Sequence, residues 1–555
     1  MKLRIALIVD SATVTKNIHA FSEWCDKNDL IQITHIIIQN ITGAPDNLFK
    51  KAALTIKHYG WRTFLSRLGW LTINKIERRL LSRQAEYKDF FDEFDLRERG
   101  YEFLSVSPII SKSRLVYRYQ NHDTEKIKAL HLDALIRCGS GILKGDILGC
   151  AKHGILSFHH ADNKINRGGP AGFWEVFDKS PTTGFVIQQL TEELDGGNIV
   201  ARGYFPTQNY FTLNNAALMT RSNYYLQKLL VDLANTHRLP TPERRLPYYN
   251  KLYKTPTIFE QIAYAGKLMR RKGYSFINSR LLDKRQVWGV AFQNRSWEDS
   301  VLWRGHEITP IPNHFIADPF LMKKDGTHYC MVEEYDFSKQ KAHISAYRIQ
   351  DNKPERLGIA IEESFHMSFP YLFKWKSGIY MVPETCEDKT IRIYRAIDFP
   401  LKWELEIIAM EDVTAADSMI FEHNGLWWLF TNLALSSVDN EVCSELSIFF
   451  SDNPLSDTWT PHPLNPIYIN PEKARNGGIL FKGESIYRVN QRQGFNQYGQ
   501  SFEINEIVHL DQQGYKENTI CAVEPRFFNG LCGTHHMNGN GEYTVYDFVR
   551  FTKRH

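Results

Sequence analysis

Apolar residues follow two rhythms along this 555-residue chain, and the change between them falls near the middle. In the first half, short continuous apolar runs alternate with stretches of helical spacing. LRIALIV (3–9), ITHIIIQ (33–39), LDALIRC (132–138) and GILSF (154–158) read as strands buried on both faces of a parallel sheet. Residues Ile18 to Asp29 read as a helix between the first two, which makes a βαβ unit. Further helices are predicted over Glu86–Arg99, over Lys144–Ala151 and from Ala171. A short strand is predicted near Glu102–Val106, and another opens at Thr183-Gly184. No G-x-G-x-x-G follows the first strand, where the chain reads Asp10-Ser11-Ala12-Thr13, so a Rossmann dinucleotide site is disfavoured.

Residues 46–85 break that rhythm. They predict one or two helices carrying nine Lys/Arg (Lys50, Lys51, Lys57, Arg62, Arg67, Lys75, Arg78, Arg79, Arg83) against Asp46 and Glu77 alone. Leu54, Trp61, Leu65 and Leu68 share one helical face. An amphipathic basic helix can rest on an anionic bilayer and recruit a lipid-linked substrate. As an insertion it can equally pack its apolar stripe on its own domain, which is the default.

The richest stretch runs from Gly154 to Ile199. A strand delivers His159 and His160 to its carboxyl end, a polar loop leads to Arg167-Gly168-Gly169-Pro170, and the segment closes on Leu194-Asp195-Gly196-Gly197. A histidine and an aspartate on loops beyond strand ends converge where α/β sheets usually place their chemistry. Asp133–Leu143, the set Gly154, His159, Arg167 and Gly168, then Thr183-Gly184 with Ile187, and finally Asp195 with Gly197, stand in order over this region. In that order they resemble the four sequence blocks of the formyltransferase family, which acts on methionyl-tRNA, glycinamide ribonucleotide or sugar nucleotides. The resemblance implies an α/β Rossmann-like formyltransferase domain over residues 1–210 and N10-formyltetrahydrofolate as cofactor. It puts the catalytic trio at Ser157, His159 and Asp195, with His160, Asp162, Asn163, Arg167, Gly168, Thr183 and Gly184 around the substrate. A protonated imidazole and an amide donor would stabilise the oxyanion formed when an amine attacks a formyl group, and the carboxylate would assist proton movement. The family has Asn where this chain has Ser157, and Asn163 is the nearest replacement. His160 to Lys164 also form a lip more polar than the family's. Three alternatives stand: an unusual acceptor, another transferred group, or lost formyl transfer. H-H-x-D lacks a familiar metal-ligand spacing, so no metal is expected.

A helical pattern over 213–233, a linker with three prolines (241–257) and a second helix over 258–271 place a helical linker region at 211–284. Beyond it the helical period disappears. ADPFLMKKDGTHYCMVEE, SFPYLFKWKSGIYMVPE, ADSMIFEHNGLWWLFT and NGGILFKGESIYRVNQ repeat one plan of entry, strand, turn and aromatic strand. Their starts, Asp318, Phe369, Asp417 and Asn476, are 51, 48 and 59 residues apart, the length of a four-stranded propeller blade. WGVAF near the beginning and EYTVYDFVR near the end would close the ring, giving an all-β five-bladed β-propeller over 285–555. This half resembles the propellers of family 43 glycoside hydrolases. It is more similar to the domain preceding the transferase domain in plant glucosamine inositolphosphorylceramide transferases. The hydrolase likeness implies Asp318 as base, Asp417 as pKa modulator, and Glu384 or Glu524 as acid. Arg475, Asn490, Gln491 and Arg492 suit sugar hydroxyls or a phosphate.

Composition adds little. The chain is 43% hydrophobic and 23% charged, and its net charge of +4 suggests no nucleic acid partner. Eight cysteines without a C-x-x-C pair fit a reducing cytoplasm. MKLRIALIVD reads as a strand rather than a signal peptide. Together the halves predict a cytoplasmic, membrane-associated enzyme of surface polysaccharide biosynthesis. Its formyltransferase-like domain would modify a nucleotide- or lipid-linked amino sugar while the propeller binds the glycan. The alternatives are a propeller-based glycoside hydrolase or glycosyltransferase with a degenerate first domain, and a non-catalytic glycan-binding protein.

Overall fold

Apolar runs too uniform for a solvent-exposed face require a sheet covered on both sides, and the first of two compact units has one. A computed structural model of the chain describes residues 2–41, 48–193, 196–351, 353–434 and 441–553, with the backbone alone over 48–59. Contacts divide it into Met1–Arg270 and Arg271–His555.

The first unit is built on seven strands: β1 (Leu3–Val9), β2 (Ile31–Gln39), β3 (Glu102–Val106), β4 (Ala134–Arg137), β5 (Ile155–His159), β6 (Thr182–Gln189) and β7 (Asn198–Pro206). They lie in the order β7-β6-β5-β4-β1-β2-β3. The five from β5 to β3 are parallel, and β6 and β7 are antiparallel additions at one edge. Ile5, Leu7, Ile8, Ile36, Ile37, Leu135 and Ile155 are all buried, as unbroken apolar runs predict.

Among the described residues six helices accompany the sheet: α1 (Lys16–Lys27), α2 (Leu48–Leu81), α3 (Asn121–Lys128), α4 (Phe173–Asp178), α5 (Phe211–Thr236) and α6 (Ile258–Phe276). Gly60, at φ 79°, breaks α2 into two helical pieces. α5, which the sequence places in a linker, packs on β6 and β7, and the rings of Phe185 and Tyr225 meet at 5.2 Å. The helix expected over Glu86–Arg99 does not form. Glu93–Asp95 instead pairs antiparallel with Thr13–Thr15, Asp95 caps a short 3-10 turn by accepting from Arg97 N–H, and Gly100 ends it in the left-handed region. Tertiary pairing overrides a local helical propensity here.

Among the described residues the second unit forms five antiparallel sheets in succession. Four are formed from consecutive strands, beginning with His314–Lys324, Ser368–Trp375, Ala415–His423 and Asn476–Lys482. The fifth joins the two ends of the unit: Lys284–Gln293 pairs with Thr544–Lys553 over ten residue pairs. The leading strands touch one another in turn, and Met537–Gly539 touches both the fourth and the first. Each leading strand is interrupted by a register shift, after Ala317, Ser368, Ala416 and Asn476. The residue that follows is Asp318, Phe369, Asp417 or Gly477. The first three have φ of 49°, 46° and 48°, a conformation that costs a non-glycine residue about 1 kcal/mol or more. The shift turns each of these residues out of the pleat. The fourth repeat therefore begins its bulge on Gly477, not on Asn476.

Candidate functional site

In the first unit the loop after β5 carries most of the predicted residues, but it is organised by an arginine that sequence reasoning missed. Arg202, on β7, donates to Asp162 Oδ1, to Asn163 Oδ1 at 2.9 Å, and to both Glu243 oxygens at 2.9 and 3.0 Å. Asp162 also accepts from Tyr204 Oη at 3.0 Å and from Lys164 N–H at 3.0 Å. Arg167 donates to the Asn163 carbonyl at 3.1 Å, and its guanidinium lies 4.5 Å over the Tyr248 ring. Gly168 must be glycine: a Cβ there would sit 1.8 Å from the Tyr253 carbonyl oxygen. Asn163, Lys164, Arg167, Arg202, Glu243 and Tyr248 line one cleft of about 380 Å³ together with Gly196 and Gly197.

Only two members of the expected catalytic trio, Ser157 and His159, are among the described residues. Asp195 lies outside the described residues. Ser157 is buried, and its Oγ is 3.2 Å from Arg137 Nη1. His159 Nε2 is 2.7 Å from the Asn166 carbonyl, to which it donates. His160 stacks on Phe158 at 4.8 Å; burial first, then the neighbouring His159, pushes its pKa down to about 3, so it is neutral. Thr183 is interior, hydrogen-bonded to Thr207 and Asn214, and Gly184 backs directly on Asp162. Ser157 Oγ accepts from Arg137 and donates to the Phe158 carbonyl, so this hydroxyl does not supply the amide donor that the formyltransferase resemblance implies at its position.

The second unit concentrates more charge. Asp318, Glu333, Glu384 and Asp417 feel one another's charge around the leading strands. Register explains how they converge. Ala317 pairs with Glu333 and Ser368 with Glu384 in consecutive sheets, and the same register holds Asn432 opposite Ala416 and Asn490 opposite Asn476. Two carboxylates are thus followed by two carboxamides around the succession. Glu333 was missed because MVEE aligned with MVPE puts Glu334 at the position of Glu384, whereas the register puts Glu333 there.

Arg475 lies between the acids. Its Nε donates to Asp417 Oδ2 at 2.6 Å and its Nη2 to Glu384 Oε2 at 3.2 Å, while Gln491 Nε2 donates to the same Asp417 oxygen at 2.9 Å. Burial pushes the Asp318 carboxyl up to about 7; His535 opposes the rise, and the charges of Asp417 and Asp547 add to it. Glu333 is driven well above the usual carboxylate range by burial and then by Asp318 and Glu384. Glu384 is driven up by burial and Asp417, with Arg475 opposing. Such a site holds neutral carboxylic acids and carboxylates side by side, the condition for proton exchange or for receiving a cation.

Other predicted residues have structural work. Asn490 is buried: its Nδ2 donates to the carbonyls of Glu472 and Gln491, and its Oδ1 accepts from Asn505 at 2.7 Å. Arg492 pairs with Glu472 at 3.2 Å, Glu503 at 3.5 Å and Glu524 at 3.6 Å, which takes Glu524 to the Arg492 pair.

The profile of the family described as glucosamine inositolphosphorylceramide transferase 1, N-terminal, matches residues 304–541. The rice (Oryza sativa subsp. japonica) protein of that name is 38% identical over 211 residues. That match takes in 37% of this chain and 28% of the rice protein, so this chain spans little more than a quarter of that relative's length. Methionyl-tRNA formyltransferase of Listeria monocytogenes is 23% identical over 223 residues, covering 37% of this chain and 66% of that protein. Among solved structures, Zg3597, a family 117 glycoside hydrolase of Zobellia galactanivorans, is 12% identical with a TM-score of 0.31, covering 47% of this chain and 90% of the hydrolase.

Proposed function

We propose that this chain is a transferase acting on an amino sugar carried by a lipid or a nucleotide. Its second unit, read as a five-bladed propeller, binds that sugar at its acidic centre. The observation that carries the reading is the charge imbalance. Asp318, Glu333, Glu384 and Asp417 are drawn together while the guanidinium of Arg475 is spent on Asp417 and Glu384. A site with unspent carboxylates favours a ligand that brings an ammonium and several hydroxyl donors, which is what a 2-amino-2-deoxy sugar offers. The similarity to glucosamine inositolphosphorylceramide transferases, proteins named for such a sugar, agrees with it. The test is whether the chain prefers a free 2-amino group to its N-acetyl form.

A lipid-linked substrate calls for access to a bilayer, and α2 supplies a surface for it. No helix among the described residues is long and apolar enough to cross a membrane. Glu77, the acid counted against the cations, is turned inward: it accepts from Tyr264 Oη at 2.6 Å and Thr212 N–H at 2.9 Å. Trp70 packs inward too, against Phe173 and Phe211. The outer face carries Trp61, Leu68, Leu71 and Ile76, each more than half exposed, beside exposed Arg62, Lys75, Arg78 and Arg79. α6 lies alongside, its Ile258 N–H donating to Ser66 Oγ at 2.9 Å, and it leaves Phe259, Ile262 and Met269 exposed. Apolar anchors flanked by cations complement an anionic membrane surface.

A second reading rests on the Listeria match and the strand order of the first unit: formyl-type transfer in the cleft at Arg202. A rise in Tm with N10-formyltetrahydrofolate would support it.

A further inference from the structure

Just beyond the acidic centre, the first leading hairpin carries three aromatic rings that are only partly buried. Ala317 pairs with Glu333, and Phe315 pairs with Tyr335 two positions further along the same strands. Side chains two apart share one face of a strand and stand about 7 Å apart along it. Phe315 and Tyr335 therefore continue the face on which Glu333 feels Asp318 and Glu384. Glu334 turns to the opposite face, where Arg356 holds it at 2.8 and 2.9 Å. The Phe315 and Tyr335 rings are stacked at 4.8 Å, 7° from parallel. Phe337 stands edge-on to both, at 5.6 and 5.4 Å, and the Arg285 guanidinium lies 3.2 Å over it. The hairpin end is pinned: Asp336 Oδ1 accepts from Ser338 N–H at 2.7 Å, and Phe337 N–H donates to the Asn313 carbonyl at 3.2 Å. His366 stands beside these rings. Its Nδ1 accepts the Ala342 N–H at 3.3 Å, and its own backbone N–H donates to Glu387 Oε2 at 2.8 Å. Burial, opposed by Glu387, holds its pKa below the usual histidine range, so the ring is neutral with its proton on Nε2. Nε2 lies 3.6 Å from Glu333 Oε1, the ring centre is 6.3 Å from that of Tyr335, and the side chain is 36% exposed.

Partly open aromatic surface beside a polar cluster is characteristic of ligand-binding grooves. A pyranose ring has the matching character: C–H groups on its faces, which pack on aromatic rings, and hydroxyls round its edge, which need directed partners. We propose that Phe315, Tyr335 and His366 form a second sugar subsite, which takes the pyranose linked to the amino sugar. Its C–H face lies on the Phe315–Tyr335 shelf, and one hydroxyl accepts from His366 Nε2. The subsite rests on the reading that the acidic centre receives an amino sugar, and it extends that reading from one ring to two. Its offset from Glu333 along the strand is on the scale of one sugar residue. Phe337 and Arg285 back the shelf, and the pinned hairpin end sets its position before a ligand arrives, which lowers the cost of binding.

Calorimetric titration of the whole chain with glucosamine and with its β1,4-linked dimer tests the subsite. The dimer should bind roughly fivefold tighter or more. Y335L and H366A should each remove that advantage, and Y335L should leave the affinity for glucosamine itself unchanged. W303S, at an exposed ring on the turn 302–304, should alter neither ligand. If circular dichroism shows Y335L unfolded, H366A decides. A dimer that binds no tighter than glucosamine, or an advantage that survives both variants, overturns the subsite and leaves the single-sugar reading standing. Equal weakening of both ligands in a folded Y335L shows a structural role for the rings and overturns it as well. If glucosamine itself does not bind, the reading and the subsite fall together.

Discussion

Arg475 Nε lies 2.6 Å from Asp417 Oδ2, and the same guanidinium reaches Glu384 Oε2 at 3.2 Å. One cation therefore holds two acids from different sheets, 58 and 91 residues away in sequence. Removing it leaves both carboxyls buried without their main donor. Breaking a buried pair from one side costs about 3–5 kcal/mol, so R475M should lower the stability of the second unit by about that much in urea denaturation. Adding D417N should recover part of the loss, because the two positions share one interaction. A loss that is simply additive would show that the pair is not coupled.

Glu175, on α4, gives the first unit a pH signature. The residue is partly buried as a whole, and its Oε2 is enclosed without a hydrogen bond. Burial pushes its pKa from 4.5 up to about 7, helped by Asp178 and Asp162 and opposed by a backbone hydrogen bond. The folded state thus holds this proton more tightly than the unfolded chain does. The stabilisation is complete below pH 4.5 and is lost as pH rises through 7. E175Q, which cannot ionise, should match the native protein at pH 4.5 and exceed it by about 1–3 kcal/mol at pH 8. Thermal melts across that range check it, and equal pH profiles would contradict it.

The exposed face of α2 predicts lipid binding of a particular kind. The whole chain should float with phosphatidylcholine vesicles containing phosphatidylserine, and much less with phosphatidylcholine alone or at high salt. W61S/L71S should reduce binding at least fivefold, and R62E/R79E should abolish the preference for the anionic lipid. Salt-independent binding, or none, contradicts the proposal. A concentration-dependent dimer dispersed by W61S/L71S would assign the face to a second copy.

Much of this fold can be read from local pattern, because its strands are announced by residues that sit close together in sequence. The buried runs became β1, β2, β4 and β5, and WGVAF pairs with EYTVYDFVR across the ends of the second unit. The repeat also located Asp318 and Asp417 at their bulges. What could not be read is what depends on distant partners. Arg202 meets Asp162 and Asn163 from 40 and 39 residues away, so nothing near the β5 loop points to it. Asn490 suits a sugar contact by type, but in the structure two backbone carbonyls take both its amide N–H groups and Asn505 donates to its oxygen. Glu86–Arg99 has helical spacing, and loses it to the pairing of Glu93–Asp95 with Thr13–Thr15.

The central claim is that the acidic centre of the second unit receives an amino sugar. Calorimetric titration of the whole chain with glucosamine and with N-acetylglucosamine tests it directly, using E333Q and E384Q as variants. Glucosamine should bind at least tenfold tighter, with that preference lost in E333Q, whose unspent carboxyl receives the ammonium, and kept in E384Q, whose carboxyl Arg475 already holds. Equal binding of the two sugars, or a preference that survives E333Q, would contradict it.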